Sequence, residues 1–221
     1  MQTSESASDP HANQSVLAVG PKPAAARLTV IAVHGRGASA QDILGLCQEL
    51  RLDDVAYLAP QAAARTWYPY SFLSAIAQNE PGITSGLRKL ARVVEIAGQE
   101  GVTPDRVAFL GFSQGACLSL EFAARNAKRY AGVIGLSGGL IGPPGTPRTY
   151  TGDFAGTPVF LGCSDIDPHI PLPRVTETGE VFRRMGAAVD ERIYPQMGHT
   201  VNHDEIEAVK GMLRMASREK G

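Results

Sequence analysis

A serine, an aspartate and a histidine, each placed just past an apolar run, are the residues of this chain best suited to chemistry: Ser113, Asp167 and His199. A serine hydroxyl is a weak nucleophile near neutral pH unless an imidazole takes its proton, and the imidazole must itself be oriented by a carboxylate. Ser113 lies in Gly111-Phe112-Ser113-Gln114-Gly115. This pattern fits a serine held where a strand turns sharply into a helix, because glycines two positions to either side remove side chains that would collide. Arg106 to Leu110 reads as a strand and Gln114 to Ala127 as a helix. The turn should therefore raise the Ser113 hydroxyl above the sheet and aim the Gln114 backbone N–H at any oxyanion that forms.

A second match, Gly135-Leu136-Ser137-Gly138-Gly139, has a different context. It runs on through Gly142-Pro143-Pro144-Gly145-Thr146-Pro147, which cannot be helical because proline lacks a donor and clashes with the preceding turn. Ser137 is expected to end a strand in a loop, with no helix start beside it.

Of the five histidines, His199 suits the base: it follows the last strand on a glycine-preceded loop and precedes the terminal helix. It should share a sheet edge with Ser113. His203 lies four residues on, but a zincin motif needs Glu directly after the first histidine and a helix carrying both. Thr200 stands there instead, so neither a metal nor a cofactor is expected. The carboxylate should follow the strand Pro158 to Leu161, which leaves Asp165 and Asp167 pointing to opposite sides of an extended chain. Asp167 is favoured, with Asp165 as a turn-forming residue. His34-Gly35-Arg36-Gly37, directly after the first strong strand, fits a turn whose Arg36 N–H joins that of Gln114 in an oxyanion hole. Each such donor is worth about 3 kcal/mol of transition-state stabilisation. His34 is expected to pack and hold that turn.

The elements that must position these residues alternate between strand and helix from residue 28 onward, implying a mostly parallel sheet covered on both faces. Strands are expected at Leu28 to Val33, Val55 to Ala59, Ala131 to Leu136 and Val189 to Tyr194, with an edge strand at Val16 to Val19. Helices are expected from Ser39, with Asp42 completing a capping box, and over Ile83–Gln99, Pro173–Met185 and Asp204–Ser217. The segment Pro60 to Pro81 has no clear period and carries Trp67, Tyr68, Tyr70 and Phe72. Its aromatics either pin a loop to the core or line a substrate site; Trp67, Tyr68 and His169 are the lining candidates.

With 221 residues, 43% of them apolar, the chain can bury one core. Residues 1–14 read as a disordered polar tail and 15–221 as a single domain. A net charge of −1 without a basic block argues against nucleic-acid binding, and no apolar run approaches the roughly 20 residues that span a bilayer. The first residues carry no secretory pattern, and Cys47, Cys117 and Cys163 fit buried free thiols, so a cytoplasmic protein is expected.

Together these blocks resemble the phospholipase/carboxylesterase branch of the α/β-hydrolases, which includes small bacterial carboxylesterases and acyl-protein thioesterases. The resemblance spans residues 28 to about 216 and rests on His34-Gly35-Arg36-Gly37, Gly111 to Gly115, Asp165-Ile166-Asp167-Pro168-His169-Ile170-Pro171 and Met197-Gly198-His199. It implies a doubly wound sheet of about seven strands without a cap domain. It also implies Ser113, Asp167 and His199 as triad, with the Arg36 and Gln114 amides as oxyanion hole. Cys163-Ser164, where the family often has His-Gly, and Arg36 and the 66–72 loop, which differ from those of acyl-protein thioesterases, bring it nearer the bacterial esterases. A serine carboxylesterase for short-to-medium acyl esters is the expected function, with a thioesterase, a lysophospholipase or a silent binding protein as alternatives. A small-molecule ester is the expected partner, and a homodimer is compatible with this reading.

Overall fold

Continuous apolar runs such as Leu28–Val33 can be buried on both faces only where helices cover both sides of a sheet. The computed structural model, which describes residues 9–216, has that arrangement. Among the described residues seven strands form one sheet in the order β1-β3-β2-β4-β5-β6-β7. They are β1 (Val16–Val19), β2 (Leu28–Val33), β3 (Val55–Pro60), β4 (Val107–Phe112), β5 (Gly132–Leu136), β6 (Pro158–Ser164) and β7 (Ala188–Tyr194). Only β1 is antiparallel, pairing Val16 with Pro60 along β3 as the expected edge strand.

Five longer helices, α1 (Ala40–Gln48), α2 (Gly82–Gln99), α3 (Gln114–Arg125), α4 (Leu172–Arg184) and α5 (His203–Met215), complete the layers. On one face α1 and α5 pack Ile43, Leu44, Val209 and Leu213 against Leu28, Val30 and Leu110. On the other, Leu90, Leu118 and Phe182 from α2, α3 and α4 cover Ile31, Phe109 and Leu161. Ser39 caps α1, and Asp42 returns the bond to the Ser39 N–H, as its spacing predicts. Residues 137–157 hold no helix, so no cap domain is inserted there. Cys47, Cys117 and Cys163 are buried free thiols.

One expectation needs correcting. Of the anticipated disordered tail, residues 1–8 lie outside the described residues, but residues 9–14 are packed against α2. His11 is only 2% exposed, with both ring nitrogens hydrogen-bonded. A polar segment can be buried this way when its polar atoms find partners.

Candidate active site

The strand β4 lies between β2 and β5 and runs into α3 through a turn with no room for a side chain at either of its glycines. A Cβ on Gly111 would overlap the Gly115 carbonyl, and one on Gly115 would overlap the Val33 carbonyl. Between them Ser113 adopts φ 55° and ψ −121°, a strained conformation that persists only when its surroundings impose it. They do so through Ser113 N–H, which donates to Leu136 O (2.9 Å), and Ser113 O, which accepts from Cys117 N–H (3.0 Å). Ser137 also has a positive φ (49°), but it is fully buried and no helix follows it.

The ends of β6 and β7 bring Asp167 and His199 to the same sheet edge. His199 Nδ1–H donates to Asp167 Oδ2 (2.7 Å), which leaves the Nε2 lone pair to accept the Ser113 hydroxyl (2.8 Å). The Phe112 and His169 rings flank the imidazole, with centroids 5.0 and 4.9 Å away. The Asp167 side chain is fully buried while that of His199 stays 19% exposed, so the imidazole can reach a ligand and the carboxylate beside it is shielded. Burial alone would raise the Asp167 carboxyl. The hydrogen bond from His199 and those from the His169 and Ile170 amides (2.8 and 3.0 Å) outweigh it and hold the carboxyl below its ordinary range. Asp165 faces elsewhere: its Oδ1 accepts from Gln196 N–H (2.7 Å) and ties the loop that leads to His199.

The Arg36 and Gln114 amides flank this row from the turn after β2 and from the first residue of α3. Among the described residues neither N–H donates to a protein acceptor. The Arg36 guanidinium donates to the carbonyls of Pro69 and Tyr70 (2.5 Å each), and so ties its turn to the aromatic loop. The Gln114 side-chain carboxamide is fixed: its Oε1 accepts from Trp67 N–H (2.9 Å) and its Nε2 donates to Tyr68 O (2.8 Å). His34 is buried, its Nε2 accepting from Ala62 N–H (3.1 Å), which is the packing role expected of it.

Two cavities meet at His199. One, of about 460 Å³, is lined by Arg36, Tyr68, Tyr70, Phe72 and His169 beside Ser113. Tyr68 and His169 thus line this cavity. Trp67 does not: it is fully buried and outside the lining, with its indole N–H donating to His34 O (2.9 Å). The expectation that it lines the site is corrected to a supporting role beneath it. The other cavity, of about 380 Å³, is more apolar and is walled by Ile43, Leu46, Phe112 and Val201. It went unforeseen, since Ile43 and Leu46 read as an ordinary helix face and Phe112 and Val201 as turn and loop residues.

The loop carrying His199 is anchored by the start of α5. Asn202 Oδ1 accepts from Glu205 N–H (2.9 Å) and Glu205 Oε2 accepts from Asn202 N–H (2.9 Å). Glu205 Oε1 is buried with no hydrogen-bond partner among the described residues. Burial pushes the carboxyl up to about 7 against the lowering effect of the Asn202 amide. A carboxyl whose pKa is higher in the fold than in the unfolded chain gives stability that is full below its unfolded value and is lost as pH rises through 7. Glu205→Gln should therefore stabilise the protein by about 1–3 kcal/mol at pH 8 and hardly at all at pH 4.5. Thermal unfolding at both pH values checks this; equal melting temperatures for variant and wild type at pH 8 would refute it.

No group of three or more His, Cys, Asp or Glu among the described residues could hold a metal, and no described helix is long and apolar enough to cross a membrane. The phospholipase/carboxylesterase family profile matches residues 14–217. Acyl-protein thioesterase 1 of Yarrowia lipolytica is 30% identical over 212 residues, which cover 87% of this chain and 93% of that protein. Its namesake from Neurospora crassa is 28% identical over 217 residues, 86% of this chain and 88% of the other. The crystal structure of a phospholipase/carboxylesterase from Dyadobacter fermentans superposes with a TM-score of 0.88 at 40% identity, covering 91% of this chain and 97% of that one.

Proposed function

Because the chain belongs to the phospholipase/carboxylesterase family of α/β-hydrolases, we propose that it is a serine carboxylesterase acting through an acyl-enzyme on Ser113. The observation that carries this reading is the unbroken row from Ser113 Oγ through His199 to Asp167, with bonds of 2.8 and 2.7 Å. Ser113 Oγ attacks the ester carbonyl carbon while its proton passes to His199 Nε2, and Asp167 stabilises the imidazolium. The carbonyl oxygen becomes an oxyanion that accepts from the Arg36 and Gln114 amides. As the intermediate collapses, the C–O bond to the alcohol breaks and His199 returns its proton to the leaving oxygen. Water then attacks the acyl carbon, losing a proton to His199; the bond from that carbon to Ser113 Oγ breaks, His199 returns the proton to Oγ, and the carboxylic acid departs.

The substrate reading follows from the walls of the site. Two cavities of about 460 and 380 Å³ meet at His199 without a helical cap over them. Pockets of this size accommodate small ligands with an apolar limb on either side of the reacting carbonyl. Short and medium acyl esters are therefore the favoured class. A series of p-nitrophenyl esters of graded chain length tests this: kcat/KM should peak among short and medium chains. A steady rise through palmitate, or faster turnover of triglyceride emulsions than of soluble esters, would refute it. A second reading, thioester hydrolysis, is favoured by the relatives named acyl-protein thioesterase 1. Matched oxygen and thiol esters of one acyl group separate the two.

A further inference from the structure

We propose that His11 is a positioning residue for the oxyanion hole, reaching it through the strained turn at residues 62–67. The inference rests on the Ser113 esterase reading above. Residues 9–13 form a strap that lies ahead of the family match, which begins at residue 14.

The strap is anchored along its length. The Ser85 hydroxyl donates to the Asp9 carboxylate, and Ser85 Oγ accepts from His11 N–H (2.9 Å). The Lys89 ammonium donates to the carbonyls of Ala12 and Gln14, and Ser15 O accepts from Gln61 N–H (2.9 Å). At its centre His11 Nδ1 accepts from Ala63 N–H (3.0 Å), while Nε2–H donates to Trp67 O (2.9 Å). The ring stands edge-on to the Trp67 indole, centroids 5.1 Å apart.

One imidazole thus spans both ends of a turn in which Ala64 and Arg65 have φ of 49° and 57°. Non-glycine residues keep such angles only when neighbours over-determine them. Only the neutral ring can do this, since a proton on Nδ1 would face the Ala63 N–H. Burial favours the neutral form, lowering the ring below the ordinary histidine range. The Trp67 carbonyl and the Asp9 carboxylate oppose this, and the Lys89 ammonium reinforces it. The His34 imidazole, also kept neutral chiefly by burial, is the remaining titratable group that senses it.

What the turn holds in place is the site. Arg65 O accepts from Gly37 N–H (2.8 Å), the residue after Arg36. Trp67 N–H holds the Gln114 side chain (2.9 Å), and the Trp67 indole holds His34 O (2.9 Å). Both proposed amide donors therefore sit next to groups fixed by the turn that His11 clamps. Loss of the clamp leaves the half-buried Ala63 N–H and the buried Trp67 carbonyl without their partner, and the turn relaxes to satisfy them. Misplacing oxyanion donors by less than an ångström should lower kcat about 10- to 100-fold with little change in KM.

The test uses the full chain with two variants. His11→Phe keeps a ring against Trp67 but makes neither hydrogen bond, whereas His11→Gln keeps one acceptor and one donor. Competent sites are counted by titration with a fluorophosphonate, and kcat is expressed per titrated site with p-nitrophenyl butyrate. The expected result is a fall of at least about tenfold for His11→Phe, a KM within about twofold of wild type and substantial recovery in His11→Gln. An unchanged kcat per titrated site in His11→Phe, however far its melting temperature falls, would overturn the proposal by showing a role in stability alone. Should His11→Phe not fold, Lys89→Met frees the outer end of the strap and must lower kcat per titrated site; an unchanged value again overturns it. A wild type that the fluorophosphonate does not label would instead overturn the Ser113 reading, and this proposal with it.

Discussion

Ser113→Ala is expected to lower kcat/KM for p-nitrophenyl butyrate about a million-fold, down to the weak catalysis left by binding and the oxyanion hole. Without Oγ there is no acyl-enzyme, and His199 Nε2, which accepts from Ser113 at 2.8 Å, has no nucleophile to activate. The fold should survive, because the Ser113 backbone is held by Leu136 O and Cys117 N–H and not by its side chain. Ser137→Ala is the natural control. That serine sits in the same pentapeptide pattern, yet its hydroxyl is buried without a hydrogen-bond partner among the described residues. Steady-state kinetics on the two variants should give a collapse for the first and wild-type rates for the second.

The next largest effect should come from Asp167→Asn, a loss of about 10⁴ in kcat. An asparagine in that place can present its amide N–H to His199 Nδ1, which stabilises the tautomer protonated on Nε2. That tautomer cannot accept the Ser113 proton. Asp165→Asn makes the contrast, since an asparagine oxygen can still accept from Gln196 N–H, the bond Asp165 makes at 2.7 Å. Its kcat should stay within a few-fold of wild type. Comparable losses in the two variants would mean that the carboxylate role is shared or misassigned.

The strand-to-helix turn at Ser113 was legible because its requirements are local: two glycines, a strand before it and a helix after it, within a dozen residues. The place of His199 beside Ser113 was legible from order along the chain, since parallel strands deliver their carboxyl ends to one edge. Asp167 and Asp165 were harder to separate. β6 runs on to Ser164 instead of ending near Leu161, and the backbone turn beyond it decides which carboxylate faces His199. Trp67 was misread because an aromatic in an aperiodic segment looks the same whether it lines a cavity or supports one from below. His11 could not be read at all. Its partners are the Ala63 N–H and the Trp67 carbonyl, backbone atoms that leave no trace in a side-chain pattern. The apolar cavity was missed for a related reason: Ile43 and Leu46 on α1 meet Phe112 and Val201 only once the layers are packed.

The acyl-enzyme itself offers the most direct measurement. Protein quenched in acid during turnover of a slowly hydrolysed p-nitrophenyl ester can be digested and weighed by mass spectrometry. One added acyl mass on the peptide containing Ser113, absent from the same peptide of Ser113→Ala, is the result expected. An adduct on any other residue, or wild-type turnover by Ser113→Ala, would contradict it.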